Sequence, residues 1–397
     1  MKTRQEPGYL VHKIIEQNEK SSVDWREGAS GNRSLNIQQE DFDRAGKSDL
    51  LQEAKELERD GLIKIKWIEY GNDIEKITYR REKTGQFYEL LGLVPKWKRL
   101  QEEKQTLRFL MQQAETDWLR QYYQELETSL DQGKTLADWD KYGVMLFDCL
   151  NALEKQKEPL YQRVFSIAVL GGSKIFEEKL KSRVVSVLSR YHPEADDAMS
   201  EREILSLVYL EDYAQQLAIK GNLKIELEGK EIDYGDQVYG TVLTTDTLRY
   251  ARILPDQSIR KIITVENKAN FVSTPYETDT LIVFSHGFFS PLECTFLRQL
   301  IGKIPDVEFF HTGDLDYGGI RIFRHIREHI CPRVRPLQMD ADWYDRYLQY
   351  GYKIKSETLK KLENMRGTEP LMEELIDRIN KEKMGIEQEC FLVRKRK

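Results

Sequence analysis

The sequence predicts a mixed α/β protein of several domains. Its 397 residues exceed the size of one ordinary hydrophobic core, and about two to four domains are expected at this length. Helical and hairpin patterns fill roughly the first 85 residues, whereas strands and helices alternate after residue 260. Hydrophobic residues make up 40% and charged residues 32% of the chain, which is typical of a globular protein and excludes a disordered one.

The amino-terminal part has the pattern of helices followed by a two-stranded hairpin. Apolar residues at helical spacing predict helices over residues 8–19 and 47–60, the second with Ser48 as N-cap and Gly61 just past its end. The alternating segments LIKIKWIEY and IEKITYR, with GND between them, predict the hairpin. This is the order of a winged helix-turn-helix, so we predict a winged-helix domain over residues 1–88 that contacts DNA or pairs with another protein.

Two regions of weaker pattern follow. Residues 89–164 have apolar stripes on strongly charged helices, and we predict a helical scaffold. Residues 165–250 are predicted to be a connecting or DNA-binding (CAP-like) region. There, VFSIAVLGG is predicted to begin with a short strand and LKIELEGKEIDYG to form a hairpin.

Charge and cysteine content restrict the class of protein. The net charge is −6, so DNA contact would need a local basic patch, and the terminal VRKRK is only a small one. The four cysteines are far apart, in neither zinc-site nor disulfide spacing, and buried thiols are expected. No stretch reaches the roughly 18 apolar residues of a membrane span, and the first 20 residues lack a signal-peptide core. We therefore expect a cytoplasmic protein that does not enter the membrane.

A parallel sheet is predicted over residues 251–397. KIITV, TLIVFS and VEFFH are short, β-branched or aromatic runs, as expected of strands buried on both faces, and RPLQM (335–339) is a candidate fourth strand. Helical segments near 291–303 and 319–330 separate the later strands. Strands that alternate with helices predict a parallel α/β domain.

Acidic residues follow two of these strands. Glu266 comes just after KIITV, and Asp314 and Asp316 come just after the third strand. The carboxyl ends of parallel strands share one edge, so these side chains are expected to converge there. Carboxylate oxygens in such a group suit Mg²⁺ or Mn²⁺ and phosphoryl-transfer chemistry. Glu266 is a candidate general acid/base and equally a candidate metal ligand, together with the two aspartates.

Basic residues near the same edge are candidate phosphate contacts. They are Lys268, two residues after Glu266, His286 and His311 at strand ends, and Arg321 on the helix that follows. Arg324 and Arg327 share the helix face of Arg321, which predicts a basic surface for DNA or a solvated face. Buried, satisfied histidines are the alternative for His286 and His311.

Several of these stretches resemble a known family. VENKANF, LIVFSHGF and HTGDLDYGGIRIF resemble the TOPRIM domain of type IIB topoisomerase A subunits and of the meiotic double-strand-break transesterase. With SIAVLGGSKIFE and GIEQE (385–389), they more closely resemble the JetD family, the nuclease subunits of Wadjet anti-plasmid SMC-like systems.

The resemblance implies a TOPRIM domain over residues 251–397 and a set of functional residues. Glu266, Asp314 and Asp316 match the TOPRIM glutamate and DxD pair, whereas Glu387 and Glu389 match only the terminal stretch. Gly172 departs from the family's aspartate, which leaves that turn without a role. The family also implies a homodimer that cleaves both strands of double-stranded DNA, in partnership with an SMC ATPase, a kleisin and a winged-helix accessory subunit.

We therefore expect a Mg²⁺-dependent (or Mn²⁺-dependent) DNA endonuclease subunit of a Wadjet-type defence complex, which cleaves plasmid DNA by hydrolysis. A topoisomerase-like transesterase that uses a tyrosine and a non-catalytic DNA-binding subunit are the alternatives. No segment matches the Arg-Glu-Ile-Tyr-Tyr stretch of the topoisomerases. The chain has 20 tyrosines, and the adjacent Tyr122 and Tyr123 are predicted to belong to a scaffold helix.

Overall fold

The protein has a mixed α/β fold that divides into two compact units. The computed structural model describes residues 8–68 and 73–393. The first unit comprises residues 1–147 and the second comprises residues 148–397. The boundary between them lies inside one helix. The finer division into four regions that the sequence suggested stays a prediction.

The first unit has the element order predicted for its amino-terminal part, with an additional strand and an additional helix before the second predicted helix. Helices near 8–19 and 47–60 and the hairpin are confirmed, although the turn of the hairpin lies outside the described residues. The three strands form an antiparallel sheet in the order β1-β3-β2. The elements are α1 (Tyr9–Lys20), β1 (Asn32–Asn36), α2 (Gln39–Ala45), α3 (Lys47–Arg59), β2 (Ile63–Ile68), β3 (Asp73–Arg80), a 3-10 turn (Arg81–Lys83), α4 (Thr84–Leu90), α5 (Lys96–Gln113), α6 (Asp117–Asp131), α7 (Ala137–Tyr142) and α8 (Met145–Leu153), within which the units divide.

The apolar side of α3 is buried. Leu50, Ala54 and Leu57 pack into a core with residues of α1 and the sheet. Gly61 has φ +72° just past the helix end, as predicted for a residue in the left-handed region. Ser48 is not the N-cap, because the helix begins one residue earlier, at Lys47, after Gly46.

The second unit contains a larger sheet with helices around it. Its elements are β4 (Leu160–Tyr161), α9 (Gln162–Leu170), a π-helical turn (Phe176–Leu180), α10 (Lys181–Tyr191), α11 (Glu201–Ser206), β5 (Leu210–Glu211), β6 (Gln216–Lys220), β7 (Lys224–Leu227), β8 (Lys230–Asp233), β9 (Thr241–Thr244), α12 (Thr245–Tyr250), β10 (Arg252–Ile253), β11 (Lys261–Val265), α13 (Lys268–Ser273), β12 (Thr280–Phe284), α14 (Pro291–Lys303), β13 (Glu308–Thr312), α15 (Tyr317–His329), β14 (Arg335–Pro336), α16 (Ala341–Tyr347), a 3-10 turn (Leu348–Tyr350), β15 (Tyr352–Lys353), α17 (Ser356–Glu363), α18 (Glu373–Glu382), β16 (Met384–Gly385) and a last 3-10 turn (Gln388–Leu392).

The large sheet has a parallel centre and an antiparallel edge. Its order is β14-β13-β11-β12-β6-β9. Strand β11 is parallel to both β12 and β13, with Val265 opposite Phe284 on one side and Thr312 on the other. The predicted parallel strands and the hairpin β7–β8 are therefore confirmed. The antiparallel strands β6 and β9, which come from the predicted connecting region, were not assigned to this sheet.

Helices cover the face of the sheet on which Ile262, Val283 and Phe309 lie. These side chains are buried together with Leu297 of α14 and Phe323 of α15. On β11 this face continues by alternation from Ile262 to Glu266, just past the carboxyl end of the strand.

One predicted strand is wrong. The stretch VFSIAVL lies in helix α9, which ends at Gly171 with φ +77°. This stretch is short, apolar and rich in β-branched residues, and such a pattern is compatible with a short helix as well as with a strand. The four cysteines are free, and three of them are buried, as expected.

Within the described part of the chain, no helix combines the length and the apolar character needed to cross a lipid bilayer.

Candidate functional site

Glu266 and Asp314 lie together at the carboxyl edge of the parallel strands. Strand β11 ends at Val265, and the Glu266 N–H donates to the Thr312 carbonyl at 3.0 Å, which continues the pairing with β13 by one residue. The Asp314 N–H donates to Glu266 Oε2 at 3.0 Å. The predicted convergence of these two residues, which are 48 positions apart, is confirmed; their chemical roles stay predictions.

Gly313 permits this close approach. A Cβ atom at this position would lie 2.2 Å from Glu266 Oε2 and 3.1 Å from His311 Nε2. Any side chain here would displace the Glu266 carboxylate. Gly319 is similarly restricted, because a Cβ there would lie 2.1 Å from the Asp314 carbonyl oxygen. Gly313 and Gly319 of the GDLDYGG stretch are therefore required by packing at the site.

Asp316 begins helix α15 as its N-cap. Its Oδ1 atom accepts a hydrogen bond from the Gly319 N–H at 2.9 Å, which satisfies one of the free donors at the helix start. Its Oδ2 atom accepts a hydrogen bond from the Tyr352 hydroxyl at 2.6 Å. Both carboxylate oxygens of Asp316 are therefore held in place, one by its own helix and one by strand β15.

Gln388 connects the loops that contain the acidic residues. Its backbone N–H donates to Asp314 Oδ1 at 2.7 Å, and its side-chain Nε2 donates to Thr312 Oγ1 at 2.9 Å. Its Oε1 accepts from the Asn267 N–H at 2.9 Å, and its carbonyl accepts from Asn270 Nδ2 at 2.9 Å. Gln388 is 1% exposed, so these bonds form away from bulk water.

The sequence analysis missed Gln388. Gln388 lies in the GIEQE stretch, of which the sequence analysis named only Glu387 and Glu389. Those two side chains are exposed, and their charges raise the pKa of Asp314. The glutamine between them is the residue whose side chain is buried in the site.

Burial and like charge raise the pKa values of two site carboxyls. Burial is the main reason that the pKa of Glu266 is raised to about 8, and the negative charge of Asp314 adds to the rise. Burial likewise raises the pKa of Asp314 to about 7, against the hydrogen bond from the Gln388 N–H, which lowers it. The charge of Asp316 raises both values. These carboxyls resist losing all their protons together near neutral pH.

The chemistry of this donor set fits a hard divalent cation. Carboxylate oxygens are the ligands that Mg²⁺ and Mn²⁺ prefer, and a cation would remove the repulsion that raises the pKa of Glu266. Glu266, Asp314 and Asp316 are the residues that would hold it. Within residues 8–68 and 73–393, however, no three His, Cys, Asp or Glu side chains are already placed as a metal-binding group. Binding would therefore require at least one of the three carboxylates to reorient.

The predicted phosphate contacts are in different surroundings. Lys268 is exposed at the start of α13, beside the acidic residues in sequence. His286 has φ +49°, and its Nε2 lies 3.1 Å from the carboxylate of the buried Glu293. The charge of Glu293 opposes the effect of burial and raises the pKa of His286. His286 is therefore already paired with an acid, whereas Lys268 is open to solvent.

His311 is fully buried under the acidic edge. Its Nδ1 lies 2.8 Å from Thr264 Oγ1, and the hydroxyl of Thr264 donates to the Phe310 carbonyl. Burial lowers the pKa of His311 to about 3, so the ring is neutral. A buried histidine of this kind does not contact a phosphate directly.

The arginines of α15 form ion pairs within the protein. Arg321 Nε donates to Asp196 Oδ2 at 2.7 Å. Arg324 and Arg327 both pair with Glu369, which is 0% exposed. The face that the sequence predicted to be basic is therefore neutralised by carboxylates from other segments.

One tyrosine hydroxyl does lie at the acidic edge. It belongs to Tyr352, which the sequence analysis did not single out. Tyr122 and Tyr123 are buried in α6, as predicted for scaffold residues. Tyr352 lies 36 residues from Asp316, so no local pattern in the sequence links the two residues.

Comparison with known proteins gives two agreeing matches. Residues 223–396 match the family model described as "Wadjet protein JetD, C-terminal", a region that contains Glu266, Asp314 and Asp316. A relative from Bacillus cereus (strain Q1), named "Wadjet protein JetD", is 28% identical over 356 residues. That alignment covers 85% of this chain and 84% of the relative.

Proposed function

From the identification of this chain as a JetD protein, we propose that it acts in a Wadjet system as a metal-dependent DNA endonuclease subunit. The observation that supports the chemistry is the hydrogen bond from the Asp314 N–H to Glu266 Oε2 at the edge of the sheet, with Asp316 beside it. In this proposal residues 251–397 form a TOPRIM-type catalytic domain, and Mg²⁺ or Mn²⁺ is held by the three carboxylates.

The proposed reaction is hydrolysis of a phosphodiester. A water oxygen forms a bond to phosphorus, the bond from phosphorus to one sugar oxygen breaks, and that oxygen takes up a proton. The bound cation would neutralise charge on the phosphate. Glu266 is the candidate to accept the proton of the water, and it is equally a candidate ligand of the cation. The Asp314 N–H keeps the Glu266 carboxylate at the position where this transfer takes place.

We also propose that the first unit contacts double-stranded DNA or a partner subunit. Its described elements follow the order helix, strand, two helices and hairpin, which is the order of a winged helix. The exposed side of α3 includes Gln52, Lys55 and Arg59. A homodimer and an SMC ATPase, kleisin and accessory subunit are the partners proposed for the full system.

The test is cleavage of supercoiled plasmid by the full chain together with its partner complex. Wild-type protein with Mg²⁺ is expected to produce nicked and linear plasmid with free ends. Asp314→Asn is expected to reduce the rate at least about a hundredfold, because it removes a proposed metal-ligand charge. Asp306→Asn, an exposed carboxyl before β13 at the opposite end of the strand, is the matched control and is expected to cut normally. Full activity of the Asp314 variant would refute the proposal.

Tyr352 gives a specific reason to test the transesterase alternative as well. In that reaction its hydroxyl oxygen, and not water, would form the bond to phosphorus. Burial, followed by the charge of Asp316, raises the pKa of Tyr352, so the hydroxyl keeps its proton and is a poor nucleophile. Hydrolysis is therefore favoured, and phenol extraction of cut plasmid, which removes DNA with covalently attached protein, distinguishes the two reactions.

A further inference from the structure

Strands β15 and β16 form a short antiparallel ribbon next to the acidic site. Tyr352 of β15 is opposite Gly385 of β16. A Cβ atom on Gly385 would lie 2.7 Å from Cζ and 2.8 Å from Oη of Tyr352. The glycine therefore makes room for the tyrosine ring on the ribbon and leaves its hydroxyl directed at Asp316.

The ribbon is joined to the loop that contains the aspartates. Leu315 and Ile386 exchange two backbone hydrogen bonds, at 2.8 and 3.2 Å. Leu315 lies between Asp314 and Asp316 in the chain, and Ile386 follows directly after β16. Tyr352 thus approaches Asp316 from a segment whose distance from the loop is fixed by backbone pairing.

We propose that Tyr352 is a positioning residue for Asp316, and that its hydroxyl holds the Asp316 carboxylate in the orientation that accepts a divalent cation. This role rests on the function proposed above. The tyrosine acts through the aspartate and does not itself contact the metal.

The geometry at Asp316 supports this assignment. The Gly319 N–H fixes Oδ1 at 2.9 Å and the Tyr352 hydroxyl fixes Oδ2 at 2.6 Å, so the carboxylate plane is set by donors on both sides. Each oxygen accepts one bond in these contacts and retains a further lone pair for a cation. Without the phenol, only the helix-cap bond restrains the carboxylate. Groups that orient a metal ligand in this way typically contribute a factor of about 10–100 in metal affinity.

Tyr352→Phe is the variant that tests the role. It keeps the ring on Gly385 and removes only the hydroxyl, and because Tyr352 is 41% exposed, the variant is expected to fold. Tyr344→Phe is the matched control: it also removes a tyrosine hydroxyl bonded to this ribbon, at the Met384 carbonyl 2.8 Å away, but touches no carboxylate.

The first measurement is Mn²⁺ binding to the full-length protein, by electron paramagnetic resonance of the free ion. The Tyr352 variant is expected to bind Mn²⁺ about tenfold more weakly than wild type, and the Tyr344 control within about twofold. The second measurement is plasmid cutting against Mg²⁺ concentration, where half-saturation is expected to rise by a similar factor while the rate at saturating Mg²⁺ changes less.

These outcomes separate the two proposals. Weaker Mn²⁺ binding in the Tyr352 variant, with no cutting by any protein, would leave the positioning role standing and refute the nuclease function. Equal or tighter Mn²⁺ binding in the variant, or no binding to wild type, would overturn the positioning role. The positioning role would also be overturned if the Tyr352 variant failed to cut at saturating Mg²⁺ while the wild type became covalently linked to DNA. Tyr352 would then be the nucleophile.

Discussion

Glu266→Gln is expected to stabilise the metal-free protein near neutral pH. Burial, and then the charge of Asp314, raises the pKa of Glu266 from an ordinary 4.5 to about 8 in the folded protein. A raised folded-state pKa means that the folded form holds a proton that the unfolded chain releases. The stabilising effect of that proton is complete below the unfolded pKa and is lost as pH rises towards the folded pKa. Glutamine is uncharged at every pH and still accepts the hydrogen bond from the Asp314 N–H.

The size of the effect follows from the difference between the two pKa values. One pH unit corresponds to about 1.4 kcal/mol for a single group. The interval from the ordinary pKa to neutral pH therefore limits the gain in the free energy of unfolding to about 3 kcal/mol. The electrostatic repulsion is shared between Glu266 and Asp314, and solvent reaches part of the site. We therefore expect the free energy of unfolding to rise by about 1–2 kcal/mol. For a unit of this size that is a rise in Tm of about 4 °C.

The assay is thermal and urea unfolding in a chelating buffer at several pH values from about 5 to about 9. The stability of the wild type is expected to fall, relative to the glutamine variant, as pH rises through this range. Added Mg²⁺ is expected to stabilise the wild type and not the variant. Asp306→Asn, which changes an exposed carboxyl at the other end of the sheet, controls for net charge. A glutamine variant that is less stable than wild type at neutral pH, with the same pH profile, would refute the reasoning.

Three further outcomes concern other buried groups of the second unit. Glu369→Ala is expected to lower the free energy of unfolding by about 3 kcal/mol in urea titrations, because it leaves Arg324 and Arg327 without their shared carboxylate; an unchanged midpoint would contradict this. Burial lowers the pKa of His311 to about 3, so we expect no titration of its ring by NMR between about pH 5 and 8. The lowered pKa reduces the stability of the protein only as pH falls below about 6.5. A ring titration near pH ~6.5 would contradict the burial of His311. Lys220→Met is expected to cost about 2 kcal/mol, because the Lys220 ammonium donates to three carbonyl oxygens at the end of α13; hydrogen exchange as slow as in wild type at that helix would show that the bonds contribute little.

The sequence was most informative where local pattern and topology agree. The strands β11, β12 and β13 are short apolar runs separated by helical segments, and a parallel arrangement follows from that order. Once the strands are parallel, residues just past their ends must share an edge. The proximity of Glu266 and Asp314 was therefore predictable without a structure.

The rest of the site depends on contacts that no local pattern specifies. Gln388 lies 74 residues from Asp314 and Tyr352 lies 36 residues from Asp316, and neither stands in a segment with strong periodicity. Strand β6 joins the sheet antiparallel to β12, and β9 pairs antiparallel with β6, although both strands come earlier in the chain. Helix α9 was mistaken for a strand because its length and apolar composition fit both.

Glu369 differs from Glu266 and Asp314 in the charges that surround its carboxylate. Glu369 is fully buried and pairs with two arginines, which is how a protein stabilises a carboxylate of structural value. Glu266 and Asp314 accept backbone N–H hydrogen bonds, yet among residues 8–68 and 73–393 no Arg or Lys forms an ion pair with either. Burial raises the pKa values of both groups, and the charges of neighbouring carboxylates raise them further. Such an arrangement lowers stability unless a cation binds, and perturbed acids in this setting are characteristic of functional sites. The contrast between Glu369 and these two acids supports the proposal that Glu266 and Asp314 bind a cation.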